Sequence, residues 1–315
     1  MGVRLRGKFR KSYLKEADRL LLLCGKMEWI MREEMEAKEY KYSVLMSVYK
    51  NDNPDYLIQA VESMLQQTVL PEQFVLVVDG PVSGEINTVI SKYEGNEGLF
   101  TVVRIKENGG LANALNVGLE YCRNELVARM DADDISLPTR CERELEMFAR
   151  NKKLALCGTH IDEFYDVPEN VHTVRKVPLD YESIKKFIKR RQPFNHPTVM
   201  YRKSEVIRCG GYGQLKRKQD FDLFSRMINE GCYALNVDAS LLKFRADRGS
   251  YKRRKSWDYV KSSIYVGFLN FKRGYCSIVD FAYIVCGQMA LYIMPLKAMA
   301  YVSDNFLREK KKYGY

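Results

Sequence analysis

Asp131, Asp133 and Asp134 place three carboxylates within four residues, directly after the apolar run Leu126-Val127-Ala128 and its close at Arg129-Met130. Buried charge is costly unless paired or metal-bound, so acids in this position belong at the mouth of a strand and not inside a sheet. Hard oxygen ligands at this spacing suit Mg²⁺ or Mn²⁺ held beside a diphosphate. The plain alternative is a solvated acidic turn that caps the next helix. Two further acids, Asp220 and Asp222, fall at the start of another predicted helix, where the dipole and capping stabilise carboxylates. One cap needs only one of them. Asp79 heads the turn Asp79-Gly80-Pro81, and Asn108-Gly109-Gly110 opens a helix whose N-terminus either faces a phosphate or simply makes a tight turn.

The elements around these residues set how they meet. Tyr42–Val48 reads as a buried strand that ends at Tyr49. Asn53-Pro54 supplies an N-cap and a first-turn proline for a helix carrying Leu57, Ile58, Val61, Met64 and Leu65 on one face. Phe74–Val78 is a continuous apolar run, as in a parallel strand covered on both sides. A helix over Ile86–Tyr93, a strand over Phe100–Ile105, a helix over Leu111–Cys122 and the strand Leu126–Met130 follow. Alternation of this kind predicts an α/β fold, a doubly wound and mostly parallel sheet. Right-handed crossovers then line the strands' C-terminal ends along one edge, where ligands bind. Tyr49, Asp79 and Asp131–Asp134 all follow strand ends, so three distant loops are expected to share one crevice. Beyond Pro138 the expectation is a helix (Thr139–Arg150), a short strand (Leu154–Gly158), an irregular polar region, and a helix from Gln219 to about Gly231.

The chain has 315 residues, 46% of them hydrophobic and 29% charged, with a net charge of +11. That is enough chain for one large domain with appendages, and the charge favours anionic partners. There is no G-x-G-x-x-G after the first strand and no phosphate-binding Lys loop, which argues against dinucleotide enzymes and P-loop enzymes. Eight scattered cysteines without a C-x-x-C pair, and no apolar N-terminal run of signal-peptide length, predict a cytosolic protein with reduced thiols. Residues 1–40 are charged and helix-prone, an N-terminal extension. Near the other end, Lys243 to Lys255 holds seven basic residues, including Arg245 and Arg253. Ile278 to Val302 is apolar and aromatic, but its longest uncharged run, Phe281–Leu296, is 16 residues, short of the ~20 that span a bilayer. With Arg308–Lys312 closing it, this segment reads as a helix in the headgroup region, held by charge and apolar insertion; an ordinary core helix is the competing reading.

Taken together, the residues resemble the inverting, nucleotide-sugar-dependent glycosyltransferases of family 2, which have the GT-A fold. The resemblance covers about residues 41 to 250. It rests on Ser43–Tyr49, Val77-Val78-Asp79-Gly80, Asn108–Asn116, the D-x-D run and Gln219-Asp220. The run Arg129–Pro138 and the segment Asn195–Lys203 are similar to a bacterial branch that builds capsule and exopolysaccharide, including amylovoran-type enzymes. The resemblance implies roles. Tyr49 would pack on the base and Asp79 would bond it. Asp131 would face the ribose or a metal-bound water, Asp133 would coordinate the metal, and Asp220 would be the general base. The family usually has Glu-Asp where this chain has Gln219-Asp220. It often has a His after the Tyr-Arg that corresponds roughly to Phe244-Arg245, and no His follows His196 here, so a third protein ligand is unassigned.

The resulting expectation is a GT-A transferase with donor half 41–140, acceptor half 141–250 and C-terminal helices at 251–315. It would move one sugar from a nucleotide-sugar, expected to be a UDP-sugar, to a lipid-linked saccharide, with Mn²⁺ or Mg²⁺ as cofactor. The donor site would comprise Tyr49, Asp79, Asn108, Gly109, Asp131 and Asp133. His196, Arg245 and Arg253 would contact acceptor or diphosphate. The enzyme would sit peripherally on the inner membrane face, and its charge would serve anionic lipid and not nucleic acid. A silent assembly partner and a nucleotidyltransferase are the alternatives.

Overall fold

Apolar strands and amphipathic helices alternate through the first half of the chain in a computed structural model that describes residues 40–96, 98–246, 255–296, 298–299, 302 and 309–310. Here β1 (Tyr42–Val48), β2 (Gln73–Asp79), β3 (Phe100–Ile105) and β4 (Leu126–Met130) are joined by α1 (Pro54–Leu65), α2 (Gly84–Glu94) and α3 (Leu111–Tyr121). β1 lies between β2 and β4, with β3 beyond β2, and all these pairings are parallel. Every residue of β2 is buried, the reason its sequence is continuously apolar and does not alternate. Asn53 caps α1 by accepting from the N–H groups of Asp55 and Tyr56, with Pro54 in the first turn. α3 can lie close on the sheet because Gly118 has no side chain: a Cβ there would stand 2.4 Å from Leu45 and 2.7 Å from Val77.

The second half adds β5 (Ile135–Ser136), α4 (Arg140–Arg150), β6 (Leu154–Phe164), β7 (Val171–Arg175), α5 (Tyr181–Phe187), a 3₁₀ turn (His196–Thr198) and β8 (Met200–Arg202). After these come α6 (Lys203–Arg208), α7 (Gln219–Asn229), β9 (Tyr233–Arg245), α8 (Trp257–Lys272), α9 (Ile278–Ile293) and the pair β10 (Glu309–Lys310). β8 joins the parallel core by running antiparallel to β4, and β6 extends it antiparallel to β8. β9 runs parallel to β6 on its other edge, and β5 pairs antiparallel with β9. The result is a mixed α/β architecture around a curled sheet.

Two expectations need correction. The strand expected over Leu154–Gly158 continues to Phe164. Its polar half is hidden in sequence because its polar groups find partners: Glu163 bonds Thr173 and Arg175, and the Thr159 N–H donates to Thr198. Lys243 and Arg245, grouped in the sequence with the C-terminal basic run, instead close β9 inside the sheet. Residues 1–39 and Arg253 lie outside the described residues.

The sheet has a core on each face. Met46, Leu76 and Ala128 pack with α1, α2 and α4, while Leu45, Val77 and Val127 pack with α3, α7 and Val266 of α8. Leu45 is fully buried, so Leu45→Ala carries the transfer and cavity cost of ~2–5 kcal/mol. α8 buries Val260 and Val266 and is tied to α7 by Arg273, which pairs with Asp222 at 2.6 Å. α9 opens with a capping box between Ser277 and Asp280 and buries only Asp280 and Ile284.

Candidate active site

The parallel registers bring the strand ends level. Val48 pairs with Val78, so Tyr49 and Asp79 leave the sheet together, and Met46 pairs with Met130 just before the acids. The antiparallel pairing of Ala128 with Met200 carries the residues before β8 to that same edge, and the Arg129 N–H donates to Val199. His196 therefore reaches the site although it is remote from the acids in sequence. Ile135 pairs with Lys243, which draws the end of β9 over the acidic turn.

Ligand oxygens of Asp131, Asp133 and Asp134 all lie within 4.8 Å of one another. Asp131 is half-buried and ion-paired with Arg129, whose guanidinium is itself buried and leaves Nε and Nη1 without partners. Asp133 is open to solvent on one side but crowded by protein on the others. This desolvation, together with the charge of Asp131, pushes its carboxyl up to about 6. Asp134 is fully buried; one oxygen accepts from the Arg245 N–H at 2.9 Å and Oδ2 has no partner, and burial with two neighbouring acids holds its carboxyl well above the ordinary range. A fourth acid joins them. Asp52 accepts from the Tyr49 N–H at 2.9 Å, and burial, with Asp133 and Asp131 adding, raises its carboxyl to about 7. Four carboxylates gathered on one turn and its neighbouring loop, one with an orphaned buried oxygen, fit a divalent cation on the chemistry of the donor set.

Asp79 is buried, and both its oxygens are engaged: Gly109 donates to Oδ1 at 2.8 Å, Gly110 to Oδ2 at 2.9 Å and the Asn108 amide to Oδ2 at 3.0 Å. The N–H groups of this turn, open to a phosphate on the sequence reading, are spent on Asp79. Gly80 (φ +81°) permits the close approach, since a Cβ would stand 2.6 Å from the Asn108 nitrogen. Tyr49 presents a ring 40% exposed at the crevice, free to stack. Arg245 is committed to the acidic turn: its side chain donates to the Asp133 carbonyl and to Gln59 and lies 3.8 Å from the centre of the Tyr56 ring. It braces the turn and does not reach out as a loose cation.

The opposite wall carries the second set. Asn116 of α3 clasps the backbone of Tyr212 with two hydrogen bonds, each 2.8 Å. The Tyr212 hydroxyl lies 3.0 Å from His196 Nε2. Burial and the nearby Arg129 hold His196 well below its usual value, so its ring is neutral. Burial raises Tyr212, and Asp220 and Asp131 both add to that rise, so both carboxylates lie near enough to act on one buried hydroxyl. Asp220 is half-buried and accepts from Gln192 at 3.0 Å through Oδ2; among the described residues nothing else bonds it. Neither Asp220 nor Asp222 caps α7. The cap position is Lys218, at φ 65°, the one non-glycine among the described residues with positive φ. Strain of this kind gathers at functional turns. Asp222 is taken by Arg226 and Arg273.

Of the residues named from sequence, the structure brings Tyr49, Asp79, Asn108, Gly109, Asp131, Asp133 and His196 to one edge of the sheet, with Asp220 near Tyr212 beside them and Arg245 against the acidic turn. Sequence reasoning missed Asp52, Arg129, Gln192 and Tyr212. Asp52 was within reach, being an acid in the loop after a core strand, and Arg129 is a charge inside an apolar strand. Gln192 and Tyr212 carry no such signal.

A family model described as glycosyl transferase family 2 matches residues 43–211. An Escherichia coli UDP-Gal:alpha-D-GlcNAc-diphosphoundecaprenol beta-1,3-galactosyltransferase is 32% identical, over 85% of this chain and 97% of the relative. The Erwinia amylovora amylovoran biosynthesis glycosyltransferase AmsE is 33% identical over 87% of this chain and all of the relative (100%). Among solved structures, the Pyrobaculum calidifontis mannosyltransferase PcManGT in complex with GDP-Man and Mn²⁺ superposes with a TM-score of 0.57 at 14% identity, covering 84% of this chain and 73% of that one. S. aureus TarS 1–349 in complex with UDP does so at 0.54 and 15%, covering 84% and 78%. These two likenesses carry the architecture, which is of the GT-A type.

Proposed function

The chain belongs to glycosyl transferase family 2 and is a glycosyltransferase, and we propose that it inverts configuration as it moves one sugar from a UDP-sugar to a lipid-linked saccharide of a surface polysaccharide. The observation that carries this reading is the gathering of Asp131, Asp133 and Asp134 within 4.8 Å of one another at the end of β4, with half-buried Asp220, held by Gln192, near the same buried Tyr212 that Asp131 influences. The acceptor and membrane parts draw on what the Escherichia coli relative's name says of that protein, and on the apolar surface of α8 and α9 described below.

Asp131, Asp133 and Asp134 would hold Mn²⁺ or Mg²⁺, which when bound supplies Lewis-acid neutralisation of the leaving diphosphate. The remaining work falls to side chains. Tyr49 offers a face for the base. Asp79 fixes the Asn108–Gly110 turn that shapes the donor side. Arg129 holds Asp131 in place, and neutral His196 keeps the Tyr212 hydroxyl in position. In a single in-line displacement the acceptor oxygen attacks the anomeric carbon, its proton passes to Asp220, and the bond to the nucleoside diphosphate breaks. Gln192 donates to Oδ2 of Asp220 and so orients the base. Positioned bases of this kind contribute ~10²–10⁴-fold.

The test is a panel of UDP-, GDP- and dTDP-sugars, read by released nucleotide and by thermal shift with and without Mn²⁺. A UDP-sugar should be turned over only with the cation. Asp133→Ala should abolish the cation's thermal shift while leaving the metal-free midpoint close to wild type, because the residue lies at the sheet's edge and outside its core. An unchanged shift would remove Asp133 from the cation site.

A further inference from the structure

Behind Asp220 lies a cavity of about 420 Å³ that neither the donor site nor the comparisons account for. Its walls come from the end of β7, the segment after α5, the start of α7, and the facing sides of α8 and α9. Five cations line it, Arg175, Lys176, Arg190, Arg191 and Lys218, and among the described residues no carboxylate does. Two of the five meet acids outside the lining: Arg175 pairs with Glu163 and Arg190 with Asp280. Lys218 is bonded to the hydroxyl of Tyr259, and Arg191 lies over the Phe187 ring at 5.3 Å. Arg191 and Lys218, which lie against a ring and a hydroxyl, give the cavity its positive character, and the ligand that suits it is an anion.

The rest of the lining narrows the ligand further. Tyr283, Ile284 and Leu291 of α9 give the cavity an apolar side. That side continues outward to Ile278, Val279 and Ile293, which are 59%, 64% and 73% exposed. Within the lining, Gln192 and Gln288 each present a buried amide oxygen with no partner. Such oxygens are costly to leave unmade and accept from hydroxyl groups. Gln192 is also the residue that donates to Asp220. The cavity thus offers acceptors for hydroxyls, positive charge and an apolar side together beside Asp220.

We propose that this cavity is the acceptor subsite, built to take a sugar linked through a diphosphate to a long hydrocarbon, with the sugar at Gln192 and Gln288, the diphosphate among Arg191, Lys218 and their neighbours, and the hydrocarbon leaving along α9. This rests on the lipid-linked acceptor reading given above and assigns it a place. The arrangement also explains why α9, which buries only Asp280 and Ile284, is pinned to the body by the Arg190–Asp280 pair: that contact forms the cavity's rim. A diphosphate could equally arrive as part of the nucleotide, so the test separates the two.

Two probes serve, a decyl N-acetylglucosaminyl diphosphate and the matching decyl glycoside without the diphosphate, with UDP as a third ligand. Binding is measured to the full chain and to Arg191→Glu and Lys218→Gln. Arg191 is exposed and off the core, and the thermal midpoint and UDP affinity report whether each variant is folded. The expected result is that wild type prefers the diphosphate probe, that each variant weakens it by at least ~10-fold, a loss of ~1.4 kcal/mol, and that UDP affinity stays within about twofold. Equal weakening of both decyl probes, or no weakening, overturns the diphosphate assignment while leaving the lipid-linked reading intact. Loss of UDP affinity in place of probe affinity gives the cavity to the donor and overturns the proposal. If wild type bound UDP but neither decyl probe, the lipid-linked acceptor reading itself would fall, and this inference with it.

Discussion

Asp220 and Asp222 sit two residues apart on one turn of α7, and their surroundings give them different work. Asp220 is half-buried with one oxygen bonded to Gln192, whereas Asp222 is 3% exposed and clamped between Arg226 and Arg273. Asp220→Asn keeps shape and the bond to Gln192 through its amide oxygen but cannot take a proton. Turnover should fall at least ~10²-fold with donor affinity unchanged, read by single-turnover kinetics beside nucleotide titration. Asp222→Asn should do the reverse. It leaves two arginines without their counter-charge, so unfolding should be easier by about 2–4 kcal/mol, with solvent screening at partly exposed Arg273 favouring the lower end. Turnover per folded molecule should hold. Denaturant melts of the two variants would expose an error: if Asp220→Asn melted early and stayed active, its role is packing.

At the scale of elements, α4 braces the acidic turn from below. Arg140 is fully buried and donates to the Arg129 carbonyl at 2.7 Å, and Glu144 one turn on is equally buried at 3.4 Å from it. Burial raises the Glu144 carboxyl from 4.5 to about 8, against the opposing pull of Arg140. A folded-state value above the unfolded one means the folded chain binds more protons between the two. Stability is then greatest below the unfolded value, is lost as pH rises through that window, and levels off above about 8. Glu144→Gln has no such proton to lose. The stability of wild type minus that of Glu144→Gln should therefore decline from about pH 5 to about pH 8 in chemical melts made at each pH. A flat difference would mean that Arg140 keeps the carboxylate charged throughout.

For the whole molecule the open question is what covers α8 and α9. Among the described residues no helix is long and apolar enough to cross a membrane. Yet Trp257, Phe268, Ile278, Val279 and Ile293 are all exposed on this hairpin, and apolar patches of this kind mark interaction surfaces. An interfacial attachment has a salt-sensitive part, about 1 kcal/mol per nearby Lys or Arg, and a salt-insensitive apolar part. The full chain should pellet with anionic liposomes and be released only partly by high salt. Val279→Glu with Ile293→Glu should raise the released fraction without changing donor hydrolysis. Removing residues 276–315 takes away α9, which buries only Asp280 and Ile284, together with buried Cys276 and Met299 and the β10 pair; it should leave donor hydrolysis measurable and move the chain to the soluble fraction. Collapse of the truncated chain would place α9 in the core and end the membrane reading.

The parallel half of the fold was legible in the sequence because both its signals are local. A strand covered on both faces must be continuously apolar, as β2 is, and the acids that follow β4 cannot lie inside a sheet. Topology then required Tyr49, Asp79 and Asp131–Asp134 to share an edge. The mixed half was not legible, since β6 carries Thr159, His160, Asp162 and Glu163 in its interior, and partners such as Thr173 and Arg175 for Glu163, Thr198 for Thr159 and Val177 for His160 come from outside the strand. The same holds for the site. The sequence marked which carboxylates could do chemistry, but Asp220 and Asp222 were equivalent until Arg273, 51 residues from Asp222 in the chain, was seen to claim one of them. Residue types and their periodicity determined the sheet and the acids. Pairings between residues far apart in the chain, which no local pattern encodes, decided which acid stays open to a substrate and which only holds α7 to α8.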